Sequence, residues 1–466
     1  MNKIFRNISF AIGGNAIMIL VSICMILVLP KYLSLQDYGT WQLFLFYFSY
    51  VGLLHFGWED GIYLRYMGLS YKGLNKPLIL GQIVTIIGSQ CFLGLGIYLL
   101  ADIFFSSNVQ REIFHFIAAT LILANSNNLF NFIFQMTSRI SDYARLIALE
   151  PLLFISLVIV SFICGERNYT ILIYCKLISL TIVCLFSGYL LRDLKEVALP
   201  SVTVIYNEAK ENIIVGFKLM LANIASMLII GIVRFGISQG WDVATFGKIS
   251  LTLSVSNFLM VFINAISVVL LPALKHVTTS MHRELYLAGR NLLTTGMLVV
   301  LMIYYPLNRI LSWWLPQYMD TLIYMAVLFP VCLFEARMGL LVNTYLKAMR
   351  QEKLMLKINI LSVLFSAAVT FFTVVIIHNL TVCVVSIVLI FSFRCYFAEL
   401  KLTVLLQYQL FSSMVQEIIM IIVFMTTSWF VGGLIGAISY ALTLMIYFIY
   451  NHRYIKSSVK ILQRRQ

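Results

Sequence analysis

A chain of 466 residues in which 61% are hydrophobic and only 11% charged departs far from soluble globular proteins, where about a quarter of residues carry charge. That composition excludes an ordinary water-soluble enzyme and assigns most of the chain to lipid. The formal charge of +14 would suggest a nucleic-acid partner in a soluble protein, but here its placement follows membrane topology, and no nucleic acid is expected.

A transmembrane helix needs about 20 apolar residues. Runs of that kind fall near 8–30, 40–62, 78–101, 113–135, 147–164, 169–191, 213–238, 244–271, 289–313, 321–346, 356–377, 380–402, 414–430 and 432–450. The fold class is therefore an all-α integral membrane protein, a polytopic bundle of 12–14 transmembrane helices. Twelve is the alternative to fourteen because Gly432, Gly433 and Gly436 either separate the last two runs or interrupt a single one. The first run follows Lys3 and Arg6 but is long and lacks a small-residue cleavage site, so it is read as a span and not as a removable leader.

With the N-terminus inside, most Lys and Arg fall on the cytoplasmic side, and the opposite side holds Lys31, Arg111, Arg167 and Arg309. The positive-inside rule then places both termini in the cytoplasm. Trp41, Trp241, Trp313, Trp314 and Trp429 fall at the outer interface in that arrangement. The eight Cys show neither metal-ligand spacing nor a disulfide framework and read as packing residues. No Gly-rich loop with Lys-Ser/Thr is present to hold a nucleotide, so the energy source is an ion gradient or the substrate's own. No cofactor and no enzymatic activity are expected.

The longest polar stretch, residues 192–212, divides the chain. It gives an N-terminal lobe at 1–191 with six helices, a cytoplasmic linker at 192–212, a C-terminal lobe at 213–402 with six helices, and two further helices with a basic tail at 403–466. Lys31-Tyr32 with Tyr38-Gly39 is echoed by Arg234-Phe235 with Phe246-Gly247, as repeated lobes would require.

The turn Leu29-Pro30-Lys31-Tyr32-Leu33 with Tyr38-Gly39, the helix end with Gly57, Gly61 and Arg65-Tyr66, and the run Ser267 to Leu274 closed by Pro272-Ala273-Leu274 resemble the O-antigen and polysaccharide flippases. These Wzx-type transporters belong to the multidrug/oligosaccharidyl-lipid/polysaccharide (MOP) exporter superfamily. The resemblance implies a two-lobed, MATE-like bundle in a bacterial inner membrane. It also implies transport of an undecaprenyl-pyrophosphate-linked oligosaccharide from the cytoplasmic to the periplasmic leaflet by alternating access. The implied partners are the lipid-linked oligosaccharide, membrane lipids, a glycan polymerase, a chain-length regulator and a coupling ion, proton or sodium. The alternatives are an ion-coupled multidrug or cation exporter of the same superfamily and, from another class, a membrane glycan polymerase.

Six basic residues remain inside the spans: Lys176, Lys218, Arg234, Lys248, Arg337 and Arg394. Lys218, Arg234 and Lys248 lie near helix ends and can snorkel to water. A charge at mid-bilayer costs at least about 2.5–3.5 kcal/mol, so Arg337, Arg394 and Lys176 need a wet cavity or partners. Together with Arg65 they are candidates for a cationic cavity that receives an anionic headgroup, the alternative being interhelical ion pairs. Glu335, two residues from Arg337, points to another face and needs its own partner. Deep bases outnumber deep acids on this reading, which favours an anionic cargo.

Asn128, Asn131 and Gln135 form a helical stripe, with Asn125 one turn above. The stripe either hydrogen-bonds a glycan or holds helices together. His55 and Glu59 share a face beside Asp60, either as a proton- or cation-coupling site or with Glu59 and Asp60 at the water interface and His55 satisfied within the bundle. Pro306 and Pro330 lie inside spans and are candidate kinks.

Overall fold

The computed structural model describes residues 3–196, 198–256, 279–407 and 411–463, and among these there is no strand. By internal packing the chain forms two compact units, Met1–Ile224 and Ala225–Gln466. Eleven helices among the described residues are long and apolar enough to cross a membrane, and shorter apolar helices lie at Ala16–Tyr32 and Val243–Ser256. Large apolar side chains such as Phe92, Ile163 and Leu434 stand more than three-quarters exposed, as they must where lipid replaces water.

The first unit holds α1 (Lys3–Tyr32), α2 (Leu35–Phe48), α3 (Trp58–Tyr66), α4 (Lys76–Phe104), α5 (Asn108–Met136), α6 (Ile140–Ile163) and α7 (Tyr169–Leu190). Ser34 stops the chain between α1 and α2 by adopting an extended conformation, and its side chain accepts the Asp37 amide as an N-cap. Asp37 in turn accepts the backbone N–H of Tyr169 at 3.3 Å, which ties α2 to α7. Trp41 is buried between Phe44 and Phe154, with ring centroids 5.5 and 5.6 Å away. Its ring is therefore packed inside the protein.

The run at 40–62 is not one helix, contrary to the sequence expectation. α2 ends at Phe48, a 3-10 turn covers Val51–His55, and Phe56 and Gly57 are both left-handed, with φ of 52° and 79°. Two successive left-handed residues cannot continue a right-handed helix, so the chain re-enters as α3.

α8 (Val202–Gly240) follows a 3-10 turn at Arg192–Glu196. The second half of the polar stretch at 192–212 is therefore the start of α8, and the division between units falls inside that helix.

The second unit continues with α9 (Val243–Ser256), whose expected span to 271 runs outside the described residues, as does Ser267 to Leu274. It then holds α10 (Thr279–Val300), α11 (Tyr304–Trp314), α12 (Met319–Leu322), α13 (Met325–Leu328), α14 (Val331–Arg337), α15 (Asn343–Ala348), α16 (Glu352–Phe371), α17 (Leu380–Leu406), α18 (Phe411–Thr426) and α19 (Gly433–Gln463). The α-helical pattern is interrupted near both prolines. The missing N–H of Pro306 coincides with a 3-10 turn at Leu301–Ile303, and Pro330 separates α13 from α14. The last two apolar runs are separate helices, because Gly432 and Gly433 take φ of 61° and 50° and turn the chain. Cys24, Cys91 and Cys164 are exposed, which corrects their reading as packing residues, whereas Cys175, Cys332, Cys383 and Cys395 are buried.

Candidate functional site

The broken second span organises the polar interior of the first unit. Interrupting a helix in lipid frees backbone groups that must find partners inside the protein. Gln90 on α4 donates to the Leu54 carbonyl at 3.2 Å, and Asn125 on α5 donates to the Val51 carbonyl at 3.3 Å and to Gln90 at 2.7 Å. His55 Nδ1 accepts the Gly57 amide at 3.0 Å, and its Nε2 lies 3.7 Å from Asp60.

Glu59 and Asp60 occupy the first turn of α3, where the positive end of the helix dipole favours carboxylates. Glu59 is fully buried. One of its oxygens accepts Asn128 at 2.6 Å, and Oε1 has no hydrogen-bond partner. The structure thus brings two predicted groups together, the amide stripe and the His55–Glu59–Asp60 cluster. Glu59 and Asp60 are buried residues and do not sit at a water interface. Asn131 is half-buried with an unpartnered buried Oδ1, and Gln135 is half-buried one turn further on.

α3 and α8 meet backbone to backbone. A Cβ on Gly61 would lie 1.8 Å from the Asn212 carbonyl oxygen, and one on Gly216 would lie 1.9 Å from the Gly57 carbonyl oxygen. This close approach lets Arg65 reach Glu208 and, at 2.6 Å, Asn212, while the Tyr66 hydroxyl donates to Glu208 at 2.6 Å. Just outside the span, Lys76 and the Tyr71 hydroxyl both donate to Asp193 at 2.7 Å. Partial burial pushes the Asp193 carboxyl up, but those two hydrogen bonds and the Lys76 charge hold it below the usual carboxylate range. Lys176 on α7 pairs with Glu150 on α6 at 2.6 Å and lies over the rings of Phe48 and Phe154.

In the second unit Arg337 is enclosed by an ion quartet. Its guanidinium reaches Glu399 at 3.1 Å and Glu417 at 2.6 Å, and Arg290 reaches the same carboxylates at 2.9 and 3.1 Å. The hydroxyls of Tyr286 and Tyr396 donate to Glu399 and Glu417, and Thr294 accepts from Arg337. All four charged side chains are at most 2% exposed. Two cations face two anions, so the cluster presents no net positive charge, and it joins α10, α14, α17 and α18.

Arg394 pairs separately with Glu335 at 2.9 Å and donates to Ser226 and Asn359. The expectation that Glu335 and Arg337 do not pair is met, since each has a partner on another helix. Arg234 donates to Ser250 and lies over Phe246, and Lys248 pairs with Asp320 at 3.6 Å.

Arg290, Glu399, Glu417 and Glu150 were not singled out by the sequence. With them included, deep bases no longer outnumber deep acids, contrary to the sequence expectation. Each of Lys176, Arg290, Arg337 and Arg394 has a carboxylate partner, and Glu59 stands without a cation within salt-bridge distance among the described residues. The available signal was that Glu399 and Glu417 fall within the apolar runs at 380–402 and 414–430, where an acid requires a base.

No known protein family matches the sequence, and no curated protein matches it. By structure the chain is similar to the lipid II flippase MurJ in an inward closed conformation, with a TM-score of 0.64 at 11% identity over 97% of this chain and 100% of that one. It is also similar to an inward-facing multidrug resistance MATE family transporter of the MOP superfamily, with a TM-score of 0.60 at 12% identity over 85% and 99%. At such identities the likeness speaks of fold. The chain is a multi-pass membrane protein with the helical-bundle fold of MOP superfamily transporters.

Proposed function

We propose that the protein is a flippase that carries an undecaprenyl-pyrophosphate-linked oligosaccharide from the cytoplasmic to the periplasmic leaflet of a bacterial inner membrane by alternating access. The observation that carries this reading is the extent of the likeness to a lipid II flippase. A coverage of 97% of 466 residues leaves about 14 outside it, fewer than the 31 residues of α19 alone. The C-terminal pair of helices is therefore included at least in part. The motifs at Leu29–Leu33, Tyr38-Gly39 and Arg65-Tyr66 point to the same class.

Of the cations assigned to the headgroup, Arg394, Arg65 and Lys176 keep partly open carboxylate partners, with Glu335, Glu208 and Glu150 at 26%, 16% and 24% side-chain exposure. A pyrophosphate is a stronger acceptor than one carboxylate and would compete for them. Arg337 is enclosed, and its role is to hold the four helices of the quartet. Asn128, Asn131 and Gln135 remain the candidates for sugar hydroxyls.

Deleting the gene in its native host tests the reading. Loss of surface polysaccharide, with intact lipid-linked repeat units accumulating on the cytoplasmic leaflet, is the expected result. Unchanged polysaccharide would overturn it.

A second reading is an ion-coupled multidrug or cation exporter, favoured by one observation, the buried Glu59 with an unpartnered oxygen. In either reading Glu59 is the coupling candidate, with His55 and Asp60 beside it. Glu59→Gln is expected to leave the protein level unchanged and to remove the dependence of transport on a proton or sodium gradient. Gradient-driven uptake in inverted vesicles measures this, and an unaltered gradient dependence would exclude Glu59.

A further inference from the structure

The last turns of α19 carry a charge pattern that the transport reading does not use. A helix of 31 residues is about 46 Å long, against a hydrocarbon core of about 30 Å. Some ten residues therefore project beyond it. The apolar part ends at the exposed residues Ile449, Tyr450 and Tyr454, which is where amphipathic rings mark the boundary with water. Interleaved with and following them come Arg453, Lys456 and Lys460, all exposed, and no Asp or Glu occurs from Asn451 to the end of the chain. No carboxylate among the described residues pairs with these three, in contrast to Arg65, Lys76 and Arg139.

The opposite face of α19 is fixed. Ser458 is buried and accepts Asn291 of α10 at 3.4 Å, and the Tyr440 hydroxyl donates to the Leu298 carbonyl at 2.9 Å. The cationic face thus cannot turn inward. Phe448, Ile449 and Ile455, with His452 and Lys456, line a shallow, largely apolar concavity of about 480 Å³.

We propose that this end of α19 is a docking site for the headgroups of anionic phospholipids in the surrounding bilayer. Lys456, Arg453 and Lys460 hold the phosphate by charge, and Phe448 and Ile449 lie along the first methylenes of an acyl chain. A basic side chain near an anionic bilayer surface contributes about 1 kcal/mol. The anionic lipid is favoured over a soluble anion because the cations begin where the apolar span ends.

The test uses the purified full-length chain, with bound phosphatidylglycerol and phosphatidylcholine counted by native mass spectrometry during titration. The wild type is expected to prefer phosphatidylglycerol. The variant R453Q/K456Q/K460Q is expected to lose roughly a hundredfold in phosphatidylglycerol affinity with its unfolding temperature unchanged, and R453K/K456R/K460R to retain the preference. Equal binding of the two lipids by the wild type, or wild-type binding by the Gln variant, would show a merely solvated face and overturn the proposal. Displacement of phosphatidylglycerol by inorganic phosphate would instead identify a site for soluble anions and overturn it as well. None of these outcomes depends on what the protein transports.

Discussion

Arg337 bonds two carboxylates that Arg290 also bonds, so removing any one of the four charges leaves an odd ion buried in an apolar bundle. Breaking such a cluster by deleting one partner costs about 3–5 kcal/mol, whereas removing a matched pair costs far less. Arg337→Met and Glu399→Gln alone are each expected to lower the unfolding temperature of the detergent-solubilised protein strongly. The double variant, which restores one cation facing one anion, is expected to lie closer to wild type than either. Additive losses in that double-mutant cycle would remove the quartet as a unit. The sequence made Arg337 conspicuous because a guanidinium inside an apolar run is costly wherever it points. It could not show the partner, since Arg337 and Glu399 are 62 residues apart and only the packing of α14 on α17 brings them together. Arg290 was hidden for a different reason: it stands at the very edge of the apolar run at 289–313, where it is indistinguishable from a cytoplasmic charge.

Among the elements, α3 shows what hydropathy does and does not encode. The apolar run at 40–62 is visible as a span, but hydropathy carries no information about φ, and the two left-handed residues at Phe56 and Gly57 break it. The glycines themselves were legible as a motif, and their reason becomes physical in the approach of α3 to α8. A methyl group at Gly61 or Gly216 would sit within 2 Å of a carbonyl oxygen, a distance no side-chain adjustment relieves, because both atoms belong to backbone. Gly61→Ala and Gly216→Ala are each expected to destabilise by at least the roughly 1–3 kcal/mol typical of overpacking. Both would also detach Arg65 and Tyr66 from Glu208. Gly88→Ala on α4, where a Cβ meets nothing within 4 Å, is expected to be neutral or slightly stabilising. Thermal unfolding of the three variants side by side provides the check, and equal behaviour of all three would rule out the close approach.

For the whole chain, the question left by the sequence is whether Gly432, Gly433 and Gly436 separate the last two apolar runs or interrupt a single one. The double glycine at 432–433 settles the number of helices there, and Glu417 settles their role within the second unit. α18 supplies one of the two anions of the quartet, so a chain ended after Leu406 would keep Arg290 and Arg337 against Glu399 alone. That leaves one uncompensated buried cation as well as the lost apolar contacts of α18 and α19. Such a truncation is expected to reduce the amount of protein in the membrane and to lower its unfolding temperature. The charge component can be separated from the packing component, because adding Arg337→Met to the truncated chain again balances one cation with one anion. Partial recovery of stability on that addition is the expected result. If the truncated chain were as stable as the full one, or if the second substitution destabilised it further, α18 would be dispensable to the charge balance. Most of the apolar spans were legible because lipid imposes a minimum length and one polarity on a span, whereas the charge balance that joins the spans depends on side chains meeting across helices distant in sequence.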